Sequence, residues 1–278
     1  MRVIQVSDLH TGTVEEPEVE EDLRRLVEEA DPELVVASGD LTHRNRPEQH
    51  ERAARFLRSL GRPLLAIPGN HDIPVWPPWR LTKTFDAFLR VWPETEPVYR
   101  SEQIIACGLN SVRPWKQQGG ALRRTQIEHV AQTFREAPAG ALRLVAVHHQ
   151  LMGAPWRTRK RTIANRSSVL GGLVDAGAEL IVSGHVHQSS IGERREFEVL
   201  AASTRVHATT VATAPGLGQP RPKRRGEARG LHVYEAGERS LRVLTYAWAP
   251  GASEGLGSWA QIADRRFPRG FDPLAHVG

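Results

Sequence analysis

Short apolar runs alternate with amphipathic segments over residues 1–190. The runs are rich in Val, Ile and Leu, which is typical of buried strands, while the longer segments repeat apolar residues at helical spacing. The predicted strands are Arg2 to Ser7, Glu33 to Ala37, Leu64 to Ile67, Val98 to Arg100, Gln103 to Leu109, Leu142 to Val147 and Glu179 to Val182. The predicted helices are Glu18 to Ala30, Pro47 to Leu60, Arg123 to Glu136 and a helix that Ser167 or Ser168 can cap and that reaches Ala176. This alternation of strands and helices predicts an α/β protein.

Beyond residue 190 the helical pattern ceases. Short strands are predicted over Phe197 to Ala202, Arg205 to Ala212, Gly230 to Glu235 and Leu241 to Trp248. They favour a second, mostly antiparallel sheet. Residues 249–278 are rich in Gly, Pro and Arg but keep Trp259, Phe267 and Phe271. We expect one domain over residues 1–248, with 249–278 as an irregular tail packed on it.

Three segments leave alternatives open. Trp76-Pro77-Pro78-Trp79 follows a predicted turn and is either the stiff wall of a pocket or part of a small satellite core. Two basic clusters, residues 157–161 and 221–225, are either solvated loops or a rim that gathers phosphate groups.

Composition narrows the class of protein. The chain has 278 residues, of which 40% are hydrophobic and 25% are charged, as in a soluble globular protein. Its net charge of +5 favours anionic partners. No apolar run approaches the roughly 18 residues that span a bilayer. The lone cysteine, Cys107, excludes an internal disulfide framework, and Met1 leads into a strand rather than a secretory signal. We expect a cytoplasmic protein without membrane insertion; the oligomeric state stays open.

Polar side chains suited to metal binding follow five of the predicted strands. Ligands bind at the carboxyl ends of strands in open α/β sheets, where these residues would meet. They are Asp8 and His10, Asp40, Asn70 and His71, His148, and His185 with His187. Imidazole, carboxylate and amide groups together suit Mn, Fe or Zn, and the absence of cysteine ligands argues against a structural zinc cage. So many candidate ligands favour two metals about 3.5–4 Å apart that share a carboxylate.

The order Asp-x-His, Gly-Asp, Gly-Asn-His-Asp, a strand-end His and Gly-His-x-His resembles the calcineurin-like metallophosphoesterase superfamily over residues 1–248. The paired histidines and the Gly-His-Val-His block are most similar to its bacterial class III cyclic-nucleotide phosphodiesterase branch. That branch usually has proline after the paired histidines, whereas Gln150 follows here, which bears on the pocket and not on the metal site. The resemblance implies two stacked mixed β-sheets flanked by helices, a four-layer α/β/β/α sandwich.

The resemblance also implies a role for each motif residue. The seven implied metal ligands are Asp8, His10 and His187 for one ion, Asn70, His148 and His185 for the other, and Asp40 bridging both. A hydroxide between the metals would attack phosphorus, and His71 would stabilise or protonate the departing oxygen. The remaining candidates are supporting or substrate-contacting residues: Asp72, which would orient its turn, and His149, His43 and Asn45.

These implications predict a metal-dependent phosphodiesterase that acts on a small anionic phosphoester, with a 3′,5′-cyclic nucleotide as one candidate. Mn and Fe are the favoured metals, with Zn as an alternative. A phosphomonoesterase or nucleotidase is the first alternative, and a nuclease is the second because nucleic acid needs a longer basic groove. A non-enzymatic scaffold on this fold is disfavoured, since none of the motif residues is missing.

Overall fold

Two mixed β-sheets form the centre of the computed structural model, which describes residues 1–13, 17–116, 118–198, 207–218, 224–250 and 257–270. The first sheet has the order β12 (Ser258–Pro268), β11 (Ser240–Ala249), β10 (Gly230–Ala236), β1 (Arg2–Val6), β2 (Leu34–Ala37) and β3 (Leu64–Ala66). The second has the order β4 (Val98–Arg100), β5 (Ile104–Leu109), β6 (Leu142–Val147), β7 (Leu180–Ser183), β9 (Thr210–Thr213) and β8 (Ser190–Glu193).

Each sheet contains a block of parallel strands. β1, β2 and β3 run parallel in the first sheet, and β5, β6, β7 and β9 run parallel in the second. Antiparallel strands complete both sheets, with β10, β11 and β12 on one side of the first and β4 and β8 at the edges of the second. The carboxyl ends of the parallel strands therefore lie along one edge of each sheet.

Helices cover the outer face of each sheet. α1 (Pro17–Ala30) and α2 (Pro47–Arg58) pack on the first sheet, and α5 (Arg124–Arg135) and α6 (Arg166–Asp175) pack on the second. Side chains of a strand alternate between the two faces, so Val3 lies in the core between the sheets and Ile4 lies in the core under the helices. The layers are thus α/β/β/α, as predicted.

The Trp- and Pro-rich insertion divides into two parts. Its short helices are α3 (Trp79–Thr82) and α4 (Asp86–Leu89). Phe88 and Trp92 are buried in the core that lies under α2. Trp76 and Trp79, by contrast, are 73% and 55% exposed. The satellite-core interpretation therefore does not hold for these two tryptophans.

The expectation of a separate antiparallel sheet in the second half is wrong. β10 and β11 extend the first sheet beside β1, while β9 joins the second sheet parallel to β7. A strand's apolar pattern reports its burial but not which sheet it joins. Of the other strands expected there, Phe197 ends the short helix α7 (Arg194–Phe197), and residues 199–206 lie outside the described residues.

The segment 249–278 is not an irregular tail throughout. Residues 258–268 form β12, which pairs antiparallel with β11 from Ser240↔Pro268 to Ala249↔Ser258. The sequence pattern does not reveal this edge strand, because most of its side chains are exposed and show no apolar alternation. Residues 251–256 and 271–278, including Phe271, lie outside the described residues.

None of the described helices has both the length and the apolar character needed to cross a membrane.

Candidate metal centre

The backbone turns sharply where three strands deliver their polar side chains. Left-handed φ angles occur at Asp8 (53°) and His10 (48°) after β1, at Asp40 (51°) after β2, and at His185 (74°) and His187 (59°) after β7. This conformation is unfavourable for residues with a Cβ and is typical of functional sites, where the surrounding structure enforces it.

Glycines let the loops that carry the candidate ligands approach one another closely. A Cβ on Gly184 would lie 1.8 Å from Oγ of Ser7, and a Cβ on Gly69 would lie 2.2 Å from the main-chain nitrogen of Asp40. Larger residues at either position would push the strand exits apart. The Gly-His and Gly-Asn blocks therefore have a steric reason for their glycines.

The first cluster comprises Asp8, His10 and His187, whose ligand atoms all lie within 4.8 Å of one another. Nε2 of His187 is 3.0 Å from Oδ1 of Asp8 and 3.1 Å from Nε2 of His10. All three side chains are buried. The other carboxylate oxygen of Asp8 accepts hydrogen bonds from Ser7 Oγ at 2.7 Å and from the main-chain NH of His185 at 2.8 Å, which fixes the orientation of the carboxylate.

The second cluster comprises Asp40, His148 and His185, again within 4.8 Å of one another, and Asn70 adjoins it. Nε2 of His148 is 3.3 Å from Oδ1 of Asp40 and 3.3 Å from Oδ1 of Asn70. The second oxygen of Asp40 is 3.9 Å from Nε2 of His10 in the first cluster. Asp40 therefore faces both clusters, which is what a bridging ligand requires.

Main-chain carbonyls orient the imidazoles. Nδ1 of His148 lies 2.9 Å from the carbonyl oxygen of Ser38, and Nε2 of His185 lies 3.1 Å from that of Gln118. A carbonyl accepts only a ring N–H, so the other nitrogen of each ring is the one that can offer a lone pair to a cation. In the case of His185 that nitrogen, Nδ1, is buried without a hydrogen-bond partner among the described residues.

The charge states also suit a cation. Burial raises the pKa of Asp8, but the neighbouring His187 outweighs this effect and holds the pKa well below its usual range. Burial likewise raises the pKa of Asp40, but the neighbouring His148 outweighs it and holds that pKa well below its usual range. Burial lowers the pKa of His10 to about 3, so its ring is neutral. Burial also opposes protonation of His148, yet Asp40 raises its pKa to about 9, so a bound cation must displace this proton.

The chemistry of these residues fits metal ions. Two buried carboxylates, several imidazoles and an amide oxygen form a set of donors for borderline cations. Oδ2 of Asp40 and Nδ1 of His185 are buried without hydrogen bonds among the described residues, and such atoms are costly unless a ligand satisfies them.

His71 lies beside the first cluster and is partly exposed. Its ring centroid is 4.7 Å from that of His10. Nδ1 of His71 lies 2.9 Å from the carbonyl oxygen of His43, to which its N–H donates. Nε2 of His71 is thus the ring atom available to a ligand or substrate.

The sequence was compared with known families and proteins. The model of the family described as Calcineurin-like phosphoesterase matches residues 1–189. The chain belongs to this family. It is therefore a metal-dependent phosphoesterase, as the motifs predicted.

Several known proteins are similar to this phosphoesterase over much of its chain. A probable cyclic nucleotide phosphodiesterase from Synechococcus sp. is 30% identical over 210 residues, which cover 70% of this chain and 76% of that protein. The serine/threonine-protein phosphatase CPPED1 of Bos taurus is 26% identical over 186 residues, which cover 62% and 58% of the two chains. The structure of purple acid phosphatase PPD1 from yellow lupin superimposes with a TM-score of 0.67 at 12% identity, over 97% of this chain and 54% of that one. The predicted fold class is confirmed.

The remaining predicted residues surround the centre of this phosphoesterase. Asp72 accepts hydrogen bonds from the main-chain NH groups of Leu41, Thr42 and Gly69 and from the hydroxyl of Thr42. It ties the turn that carries Asn70 to the exit of β2.

His149, His43 and Asn45 occupy different surroundings. His149 is buried, with Nδ1 2.8 Å from Ser111 Oγ and its ring 4.6 Å from that of His185. The ring of His43 stacks on that of His71 at 5.8 Å. Oδ1 of Asn45 lies 2.9 Å from Nε2 of His50, so this amide oxygen faces away from the two clusters.

Sequence reasoning missed Lys160. It belongs to the basic cluster 157–161, yet its ammonium donates a hydrogen bond to the carbonyl of His185 and lies 3.2 Å from Nε2 of His187. Arg157, Arg159 and Arg161 on the same loop are exposed. The loop is thus partly solvated and partly in contact with the candidate metal centre. In the second basic cluster, residues 221–223 lie outside the described residues, and Arg225 stacks on Trp156 at 4.0 Å.

Proposed function

We propose that this phosphoesterase hydrolyses a small phosphodiester, with a 3′,5′-cyclic nucleotide as one candidate substrate. The observation that carries the proposal is the position of Asp40, which has one oxygen 3.3 Å from His148 and the other 3.9 Å from His10. A shared carboxylate between two ligand clusters suits a pair of metal ions, the usual device for phosphoryl transfer to water.

Each cluster has a proposed role. One ion would be held by Asp8, His10 and His187, the other by Asn70, His148 and His185, and both by Asp40. When bound, such ions neutralise the charge of a phosphate group and make a water molecule acidic enough to serve as the nucleophile. Mn and Fe are our favoured metals and Zn is the alternative, because imidazole and carboxylate ligands suit all three.

His71 would act on the departing oxygen. Its Nδ1–H is held by the carbonyl of His43 at 2.9 Å, so Nε2 is the atom that would give a proton to the leaving alkoxide or stabilise its charge. The main-chain NH of His71 donates to Asp40 at 2.8 Å, which fixes the turn relative to the proposed metal ligands. Asp72 and the ring of His43 would hold this arrangement in place.

A phosphomonoesterase is the second candidate, because the bovine relative's name describes a phosphatase. A nuclease is the third and rests on the basic clusters 157–161 and 221–225, of which residues 221–223 lie outside the described residues. We propose that residues 1–248 together with β12 act as one catalytic domain, since β12 pairs along the length of β11.

One assay separates these candidates. The Mn-reconstituted protein is incubated in parallel with bis(p-nitrophenyl) phosphate, p-nitrophenyl phosphate, cyclic AMP and single-stranded DNA. The proposal predicts that the small diesters have the highest kcat/KM. Preference for p-nitrophenyl phosphate would instead establish the phosphomonoesterase, and preference for DNA would establish the nuclease.

A further inference from the structure

We infer that a cleft beside His71 binds the aromatic base of a nucleotide, an inference that rests on the proposed phosphodiesterase function and specifies its substrate class. The base cleft is lined by Arg44, Asn45, Arg46, Val75, Trp76 and Trp79. Val75, Trp76, Trp79 and both arginines are exposed. None of the residues that line the cleft is acidic.

The two walls of the cleft adjoin His71 and His43 along the chain. One wall continues the turn that carries His71, because Pro74 at the cleft is three residues further along the chain. The other wall continues from His43, whose carbonyl lies 2.9 Å from Nδ1 of His71. The inference places the phosphate of a substrate next to Nε2 of His71 and its ester group between these two walls.

The wall of the cleft that carries Trp76 and Trp79 is held in place by a buried arginine. The guanidinium of Arg80 donates to the carbonyl oxygens of Pro114 at 2.6 Å, Pro74 at 2.8 Å and Lys116 at 2.9 Å. Arg80 is 8% exposed and lies directly after Trp79. These bonds fix the backbone on both sides of Trp76 and Trp79, so the two exposed indoles are presented from a rigid segment.

The opposite wall, which carries Arg44 and Arg46, is also fixed by hydrogen bonds. The main-chain NH of Arg44 donates to Oε1 of Gln49 at 2.9 Å, and that of Asn45 donates to Oγ1 of Thr42 at 3.1 Å. Oδ1 of Asn45 is within 2.9 Å of Nε2 of His50. The loop backbone is thus ordered while the side chains of Arg44 and Arg46 extend into solvent.

This combination selects a planar, anionic ligand. Exposed aromatic side chains offer stacking surface, and Nζ of Lys83 lies over the Trp79 ring at 4.9 Å from its centroid. Arginine adds a positive charge that favours phosphate and can stack on a base. A glycerol or alkyl ester would leave both indoles uncovered, whereas a nucleotide would use them together with the arginines.

Equilibrium binding tests the inference without requiring turnover. AMP and ribose 5-phosphate share the sugar and the phosphate and differ only in the base, so the ratio of their dissociation constants reports base recognition. Calorimetric titration of the Mn-reconstituted protein should give a ratio of roughly 5- to 100-fold in favour of AMP, the range expected for stacking on an aromatic side chain. Trp76→Ala and Trp79→Ala should each reduce this ratio while leaving the affinity for ribose 5-phosphate unchanged.

Leu81→Ala is the matched control. Leu81 is exposed on the same short helix α3 but does not line the cleft, so this variant should keep the wild-type ratio. Equal binding of AMP and ribose 5-phosphate would overturn the inference that the cleft binds a base. A ratio of dissociation constants that neither tryptophan variant changes would overturn it as well.

Hydrolysis of bis(p-nitrophenyl) phosphate by the same samples separates the two proposals. Diester hydrolysis without a preference for AMP over ribose 5-phosphate would overturn the inference about the cleft and leave the proposed function standing. A preference for AMP without diester hydrolysis would overturn the proposed function and leave the inference that the cleft binds a base.

Discussion

The main-chain NH of His71 donates a 2.8 Å hydrogen bond to Oδ1 of Asp40. The carboxylate that faces both clusters therefore also fixes the turn that carries the proposed proton donor. Because this bond uses the backbone of His71, a substitution of its side chain leaves the bond intact. The contribution of the imidazole can thus be measured separately from metal binding.

His71→Ala should keep both metal ions and lose turnover. We expect kcat for a small diester to fall by about 10²- to 10⁴-fold, the contribution typical of a general acid. Metal content by inductively coupled plasma mass spectrometry and steady-state kinetics on one preparation test this prediction. Loss of metal in the variant would make His71 a ligand instead.

Lys160→Met should strengthen metal binding. The ammonium of Lys160 lies 3.2 Å from Nε2 of His187 and repels a cation at the first cluster. At an effective dielectric constant near 20, charges about 4 Å apart interact by about 4 kcal/mol, so an increase in Mn²⁺ affinity of at least about tenfold is expected by calorimetry. Arg159→Met, on the exposed part of the same loop, is the control and should change little. Weaker binding in Lys160→Met would show that the lysine supports the ligands.

Asp72→Asn should destabilise the fold. The buried carboxylate accepts from three main-chain NH groups and one hydroxyl, and an amide can accept at only one of its two polar atoms. Each buried donor left unsatisfied costs about 1–3 kcal/mol, so the free energy of unfolding in urea should fall by at least that amount. The exposed Asp175→Asn should be neutral. Equal stability of the two variants would contradict the supporting role of Asp72.

His232 should make the protein sensitive to acid. Burial lowers its pKa to about 3, while the unfolded chain takes up the proton near pH 6.5. The neutral ring of His232 therefore makes its full contribution to the free energy of unfolding above pH 6.5. This contribution falls by about 1.4 kcal/mol for each pH unit between pH 6.5 and pH 3. Urea unfolding of the wild type and His232→Gln at pH 7, 6 and 5, in chelator, should show a difference that shrinks with falling pH. Parallel pH profiles would contradict this.

The sequence located the candidate site because of one physical rule. Asp8, Asp40 and His148 each follow a short apolar run, and the carboxyl ends of parallel strands meet at one edge of a sheet. Local pattern alone thus predicted which residues the fold brings together. The type of contact that Asp72 makes at the exit of β2 was also predictable, because a carboxylate in a tight turn commonly accepts hydrogen bonds from nearby main-chain NH groups.

Other features have no local signal. Lys160 lies in a loop without periodic pattern, and its contact with His187 depends on how that loop crosses the site. β12 was missed because an exposed edge strand does not need apolar alternation. Trp76 and Trp79 are exposed, and Arg80 beside them is bound to two distant loop carbonyls, which no spacing in the sequence reveals.

Metal stoichiometry of the wild type and Asp40→Ala tests the central claim most directly. The wild-type protein, reconstituted with Mn²⁺ and desalted, should retain two ions per chain, and Asp40→Ala should retain at most one and hydrolyse no diester, because both clusters lose a shared ligand. Two retained ions and near-normal hydrolysis in Asp40→Ala, or no retained ion in the wild type, would contradict a pair of metals shared by Asp40.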